Sequence, residues 1–271
     1  MTKPLFEVEK EKRFRESPVG ARAALFITLF FLRQYLVGVV NEFIFECHER
    51  DLVKIYSRVF GALARFFKGQ LYWPKAEEIE EQINTEPSDP LMEGIFCAVD
   101  GTMINTHRST IKFKRGQKDP YYSGHKHKTG LNMLCFVYLD GRVMFPSRTV
   151  PGGQPDQAIW NEQHFRDYFT QIDYGLLGDA GFTFNVDEES EENPHILGIT
   201  PQPKRNLPRG SRLGDEDRET NKVISKHRVI VENVFMRLKQ WRFMGGLNRH
   251  FKALWKKEGG QKRQTYDRSC R

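Results

Sequence analysis

A change of hydrophobic period about a quarter of the way along the chain restricts its fold more than any other feature. Up to Phe67 apolar residues recur three and four apart, whereas from Gly94 onward they come in short continuous runs closed by turn residues. The first pattern suits helices and the second suits strands, so a helical module precedes a domain in which strands and helices alternate. Between them Tyr72 to Pro90 holds Trp73, Pro74, the acidic stretch AEEIEEQIN and then TEPSDP, whose serine and prolines mark a linker. The expected division is a tail over residues 1–17, a helical module with its linker over 18–90, an α/β domain over 91–250 and a basic, disordered tail over 251–271.

Within the helical module Leu25, Thr28, Leu32, Leu36 and Val40 keep helical spacing. A turn at Glu46 to Glu49 is expected to separate a helix ending near Phe45 from a second over about Asp51 to Phe67, whose stripe is Leu52, Ile55, Val59, Leu63 and Phe66. Two short helices and a turn suggest a helix-turn-helix arrangement. Lys54, Arg58 and Arg65 on the outer face read either as solvated surface or as DNA contacts. The most apolar run, Ala24 to Leu32, falls well short of the ~20 residues that a membrane-spanning helix needs and reads as a core helix.

In the second domain GIFCAVDGTMI reads as a short apolar strand ending in Asp-Gly, HKTGLNMLCFVYLDG as a longer one ending in another Asp-Gly turn, and RVMFPSRTVPGG as the next. Together they predict an antiparallel meander. QAIWNEQHFRDYF has helical spacing in Ile159, Phe165 and Phe169, YGLLGDAGF reads as a buried strand and HILGITPQP as another. ETNKVISKHRVIVENVFMRLKQWRF reads as a long amphipathic helix with Val223, His227, Val231, Val234, Leu238 and Trp241 on its core stripe. This is the element order of an RNase H-like α/β core, a mixed sheet flanked by helices. The acidic run 185–193 and the proline, glycine and charge-rich stretch 203–218 stay outside it as loop and connector.

A formal charge of +7 favours a polyanionic partner, nucleic acid before anionic membrane, because bound phosphates release their condensed counterions. Cys47, Cys97, Cys135 and Cys270 show no metal-binding spacing, and Cys97 and Cys135 sit inside apolar runs. No secretory pattern opens the chain, which reads as cytosolic or nuclear. Nucleotide-phosphate loops, the GxSxG elbow of acyl hydrolases and the dinucleotide fingerprint are all missing from the sequence.

Carboxylates carry the remaining chemistry. Mg²⁺ prefers hard oxygen ligands, and two such ions about 3.5 to 4 Å apart can activate water and stabilise a leaving oxygen at a phosphodiester. Asp100 follows the apolar run IFCAV and Asp179 follows YGLLG, so both are expected at strand C-terminal ends, about 4.8 Å apart if the strands are neighbours. The plainer reading is that each Asp starts a turn, as Asp-Gly routinely does. Glu232 lies one position past Val231 on the long helix, with Arg228 and Lys239 sharing its side. Together these suit metal and phosphate, although an Arg228–Glu232 surface ion pair would serve as well. His125 and His127 fall two apart on an expected strand, and beside Lys126 and Lys128 they suggest a basic edge near DNA more than a metal site.

With these residues in view, the chain resembles the DDE endonucleases of PIF/Harbinger transposases over about Gly20 to Gly246. VDGTMI resembles the first-acid motif, YYSGHKHKTGLNMLCFVYLDGRV the lysine-containing strand pair, VPGGQPD the Pro-Gly turn ending in Asp156, and GDAGF the second-acid motif. ITPQPKRN resembles the proline-rich strand that follows. TNKVISKHRVIVENVFMRLKQW resembles the closing helix, with Asn221, Arg228, Glu232 and Lys239 at its characteristic positions. FLRQYL and LYWP resemble parts of the family's degenerate helix-turn-helix region, while Pro155 and Thr220 depart from the usual histidine and aromatic.

The resemblance implies a nuclear enzyme, found also in the cytoplasm, that uses two Mg²⁺ or Mn²⁺ ions held by Asp100, Asp179 and Glu232. It would cut at transposon ends and join the freed 3′ hydroxyl to target DNA. Lys126, Lys128, Arg228 and Lys239 would bind DNA. It further implies a homo-oligomer and a Myb-like partner protein, with no membrane association. Two alternatives stay open: a non-catalytic DNA-binding or adaptor protein of transposase descent, and an RNase H-like nuclease of repair or RNA processing.

Overall fold

The computed structural model describes residues 19–83, 89–107, 118–162, 165–184, 196–201 and 213–248. The expectations for the two tails and for the acidic run 185–193 lie outside these residues, as do Cys270 and most of the connector. Contacts divide the chain into one unit running to Tyr72 that also takes in Leu238–Leu247, and a second from Trp73 to Arg237 that takes up again at Asn248. Residues 73–83, read from sequence with the helical module, and 238–247, read with the sheet, thus each group with the other unit.

The first unit contains three N-terminal helices, α1 (Ala21–Gln34), α2 (Gly38–Phe45) and α3 (Glu49–Lys68). Its core is Ala24, Ile27, Phe31, Tyr35, Leu52, Ile55, Tyr56 and Val59, with Phe31 stacked on Tyr56 at 4.2 Å. Sequence periodicity anticipates the turn after Phe45 but not the break between α1 and α2. There Tyr35 adopts a left-handed conformation (φ 49°) and donates its N–H to Phe31 O. A non-glycine residue rarely does this. Here packing holds it, because the buried Tyr35 ring lies against Phe31 and edge-on to Phe243. The break also shifts the core stripe of α1 to Ala24, Ile27, Thr28 and Phe31, leaving Leu25 and Leu32 half-buried and Val40 exposed. Among the described residues no helix is long and apolar enough to cross a membrane.

The second unit is built on a mixed sheet, with strands β1 (Ile95–Asn105), β2 (Tyr122–Ser123), β3 (Lys128–Tyr138), β4 (Val143–Pro146), β5 (Val150–Pro151), β6 (Gly175–Leu177) and β7 (Gly198–Ile199). Its main order is β2-β3-β1-β6-β7, and β4 and β5 also pair with β3. Strands β1, β3 and β4 form the expected antiparallel meander, whereas β6 and β7 run parallel to β1. One face of the sheet is covered by α4 (Ala76–Ile83), α5 (Asp156–Glu162) and α6 (Phe165–Phe169), which bury Ile79, Ile159, Trp160, Phe165 and Phe169 against Cys97, Val99, Leu134 and Phe136. Trp73 joins this core edge-on to Phe136 at 4.8 Å, and the Tyr168 hydroxyl donates to Pro74 O at 2.7 Å. These contacts anchor the segment that sequence assigned to a linker. Cys97 and Cys135 are buried as small hydrophobes.

The long helix α7 (Asp215–Lys239) begins four residues earlier than the sequence suggests, inside the expected connector; α8 (Arg242–Gly245) follows it. Asp215, Glu216 and Asp217 fill its first turn, where acidic side chains meet the positive end of the helix dipole. Its buried residues are Ile224, Val231, Val234 and Phe235. Val223, His227 and Leu238, expected on the stripe, are half-buried and Trp241 is exposed. The true stripe steps through Ile224, Arg228, Val231 and Phe235 at intervals of four, three and four, which aims an arginine inward.

Candidate active site

Two Asp-Gly pairs that look alike in sequence do different jobs. Asp140 and Gly141 make a turn, with Gly141 at φ 90° and Asp140 Oδ1 accepting the Arg142 N–H. Asp100 and Gly101 do not. Strand β1 runs on to Asn105, so Asp100 lies in mid-strand opposite Cys135 and not at the strand end that the sequence suggests. Gly101 instead leaves room for Asp156: a Cβ there would fall on that carboxylate, which would have to move aside. That carboxylate is tied down by Asn132, whose Nδ2 donates to Asp156 Oδ1 at 2.6 Å and to Gln154 O at 3.2 Å.

Gly101→Ala is accordingly expected to displace Asp156 and destabilise the protein by about 1–3 kcal/mol, the usual cost of forcing a group into filled space. Truncating Asp156 to Gly in the same chain should recover part of that loss in urea unfolding. Additive losses in the double variant would show that the two residues do not compete for the space.

The parallel pairing of β1 with β6 sets Ala98 level with Leu177, so Asp100 and Asp179, each two residues further on, stand at matching heights on neighbouring chain segments. Each carboxylate accepts the N–H of the residue after it, Gly101 at 2.7 Å and Ala180 at 2.8 Å. Both also face one guanidinium. Arg228 Nη1 lies 3.4 Å from Asp179 Oδ1, and Nη2 lies 4.0 Å from Asp100 Oδ2. Burial pushes Asp100 up to about 6, and the neighbouring carboxylates of Asp156 and Asp179 push the same way; the Gly101 N–H and Arg228 oppose them without cancelling the effect. Dehydration of the carboxylate, more than the charges around it, is what disfavours its ionised form.

The loop after Asp179 is firmly seated. Phe182 donates its N–H to Asp179 O and buries its ring in a stack with Phe184, while Gln157 clamps the Thr183 backbone through both its donor and its acceptor. A cavity of about 610 Å³ opens beside this loop, lined by Asp156, Gln157 and Asp179 together with His125 and Lys126. His125 and His127 are not on a strand. They occupy the turn between β2 and β3, with His127 in the left-handed region, so they do not share a strand face. Lys128 opens β3 as an exposed residue, and Lys239 is exposed at the end of α7.

Of the residues singled out from sequence, the structure brings together Asp100, Asp179, Arg228 and Asp156. Glu232 is exposed on α7, one turn beyond Arg228, and among the described residues it makes no ion pair or hydrogen bond with either aspartate. Among the described residues, likewise, no group of three or more His, Cys, Asp or Glu side chains is gathered to hold a metal. Asn221 is half-buried on the inward stripe. Sequence reasoning missed Asn132 and Gln157, which position Asp156 and the Asp179 loop. It also missed the inward aim of Arg228, which the apolar spacing of Ile224, Val231 and Phe235 could have revealed.

The chemistry of the two aspartates, hard carboxylate oxygens on neighbouring segments with Asp100 largely dehydrated, suits a hard divalent ion, with no third ligand gathered beside them among the described residues. A mixed α/β sheet flanked by helices, with acids raised on adjacent parallel segments, is consistent with an α/β nuclease fold. The DDE superfamily endonuclease family matches residues 99–257, more than half of the chain, and the protein belongs to that family. Membership makes it a nuclease domain of transposase type whose implied substrate is DNA. No curated protein and no solved structure matches the chain.

Proposed function

We propose that this protein is a DDE transposase of the PIF/Harbinger type that cuts and joins DNA in the nucleus. Asp100, Asp179 and Glu232 would be its metal-holding acids. The observation that carries the reading is the Asp100–Asp179 pair, set at matching height by parallel strands, with Asp100 buried and disfavoured in its ionised form. Glu232 is the one acid of α7 within a turn of Arg228, the residue that already touches both aspartates. Mg²⁺ or Mn²⁺ bound there would supply Lewis-acid polarisation of a phosphate oxygen and a water of lowered pKa.

The protein's own groups do the rest. The Gly101 and Ala180 N–H groups orient the two carboxylates, and Gln157 holds the Asp179 loop. Lys126 and His125, which line the same cavity as Asp156 and Asp179, would receive the phosphate backbone, with Lys128 close by in sequence. The RNase H-like reading of the sheet draws support from its order, an antiparallel β1-β3-β4 meander with β6 and β7 parallel to β1. The helical unit, with Lys54, Arg58 and Arg65 exposed on α3, would read DNA in the manner of a helix-turn-helix. A homo-oligomer and a Myb-like partner complete the proposal.

The test is a nicking assay with Mn²⁺ on transposon-end duplexes, on unrelated duplexes and on RNA–DNA hybrids. Cutting of DNA duplexes is expected. Salt-sensitive binding without cutting would favour the non-catalytic adaptor, and preference for the hybrid would favour an RNase H-like nuclease.

A further inference from the structure

Arg228 occupies an unusual position for a basic residue of a DNA-processing enzyme. It stands in the buried stripe of α7 among Ile224, Val231 and Phe235, with its side chain only 14% exposed. Taking a guanidinium out of water is costly unless charges meet it, and here Asp100 and Asp179 do. The contacts are loose, however. At 3.4 and 4.0 Å they exceed the 2.7–2.9 Å of a charge-assisted hydrogen bond. Among the described residues its buried Nε has no hydrogen-bond partner. The guanidinium thus sits near both acids without being locked to either, where its charge matters more than its donor geometry.

We infer that Arg228 is a built-in counter-cation: it holds the Asp100–Asp179 pair together in the metal-free protein and competes with a divalent ion for it. The inference rests on the metal-holding reading of these two acids. A divalent ion held by Asp100 and Asp179 would draw on the same carboxylate oxygens that Arg228 now faces. A guanidinium facing the same oxygens would add like-charge repulsion in a poorly solvated site, so metal entry requires Arg228 to turn away. Arg228 is in this sense a positioning residue, setting how tightly the site takes metal. It is not a DNA contact in the metal-free protein.

The experiment is a Mn²⁺ titration without DNA, followed by the electron paramagnetic resonance signal of free Mn²⁺, on the full chain and on Arg228→Met, Arg228→Lys and Asp100→Asn. Arg228→Met is expected to bind Mn²⁺ at least about tenfold more tightly than the unaltered protein, while its metal-free melting temperature falls. Arg228→Lys, which keeps the charge, should stay near the unaltered affinity. If Arg228→Met does not fold, Arg228→Gln carries the same expectation. Binding that is abolished by Asp100→Asn but unchanged or weakened in the charge-removing variant would overturn the role of Arg228 and leave the metal site standing. No binding by the unaltered protein, or binding indifferent to Asp100→Asn, would overturn both.

Discussion

Alanine at Asp100 or Asp179 is expected to lower metal-dependent DNA cleavage at least about 10²- to 10³-fold, the loss that follows removal of a single charge-stabilising group from an active site. DNA affinity should persist or rise, because each substitution removes a carboxylate that repels phosphate. That split separates a chemical role from a structural one: a variant that merely misfolds loses both. The same substitution at Glu232 asks more, since this residue is exposed and, among the described residues, makes no ion pair or hydrogen bond with either aspartate. An equal loss there would show that the helix-borne acid joins the strand-borne ones during the reaction. Undiminished cleavage with all three replaced would remove the acids from the mechanism altogether.

The second large effect runs in the opposite direction. Asp100→Asn should make the metal-free protein more stable at pH 8, by up to about 3 kcal/mol, because holding a carboxyl at about 6 against an ordinary 3.8 costs that much once it ionises. The sign follows from proton uptake. Between pH 3.8 and about 6 the folded state holds a proton that the unfolded chain has released, so stability from this group is full below 3.8 and is lost as pH rises through about 6. The melting temperature of Asp100→Asn in EDTA should therefore exceed that of the unaltered protein by several degrees at pH 8, with the gap closing towards pH 4. Mn²⁺ should reverse the order at pH 8, since an ion ligated by Asp100 stabilises only the protein that retains the carboxylate. Equal melting at pH 8, or a gap that does not narrow on acidification, would mean that Asp100 is not held in an unfavourable field.

These expectations share a physical origin. An acid placed in mid-strand, largely dehydrated and near two others, is poor design for stability, and the proposed metal would give it a purpose. On the proposed reading Arg228 faces the pair in the metal-free protein and a divalent ion takes over that part.

Much of this was legible in the residues alone. Helical spacing to Phe67, the meander of β1, β3 and β4, the two aspartates after apolar runs and the long last helix all follow from local periodicity and turn chemistry, which act over a few residues. Other features required the folded chain. That Asp100–Gly101 lies in mid-strand while Asp140–Gly141 turns depends on what approaches each glycine: the Asp156 carboxylate, from a distant part of the chain, in the first case and a local reversal in the second. That Trp73 anchors the sheet core, and that Tyr35 breaks a helix without glycine or proline, depends on aromatic partners far along the chain. Sequence determined which residues could bear charge and which could be buried. The tertiary structure decided which charges meet, because the Coulomb energy between Arg228 and the two aspartates depends on distance and dehydration, and neither is written in the order of residues.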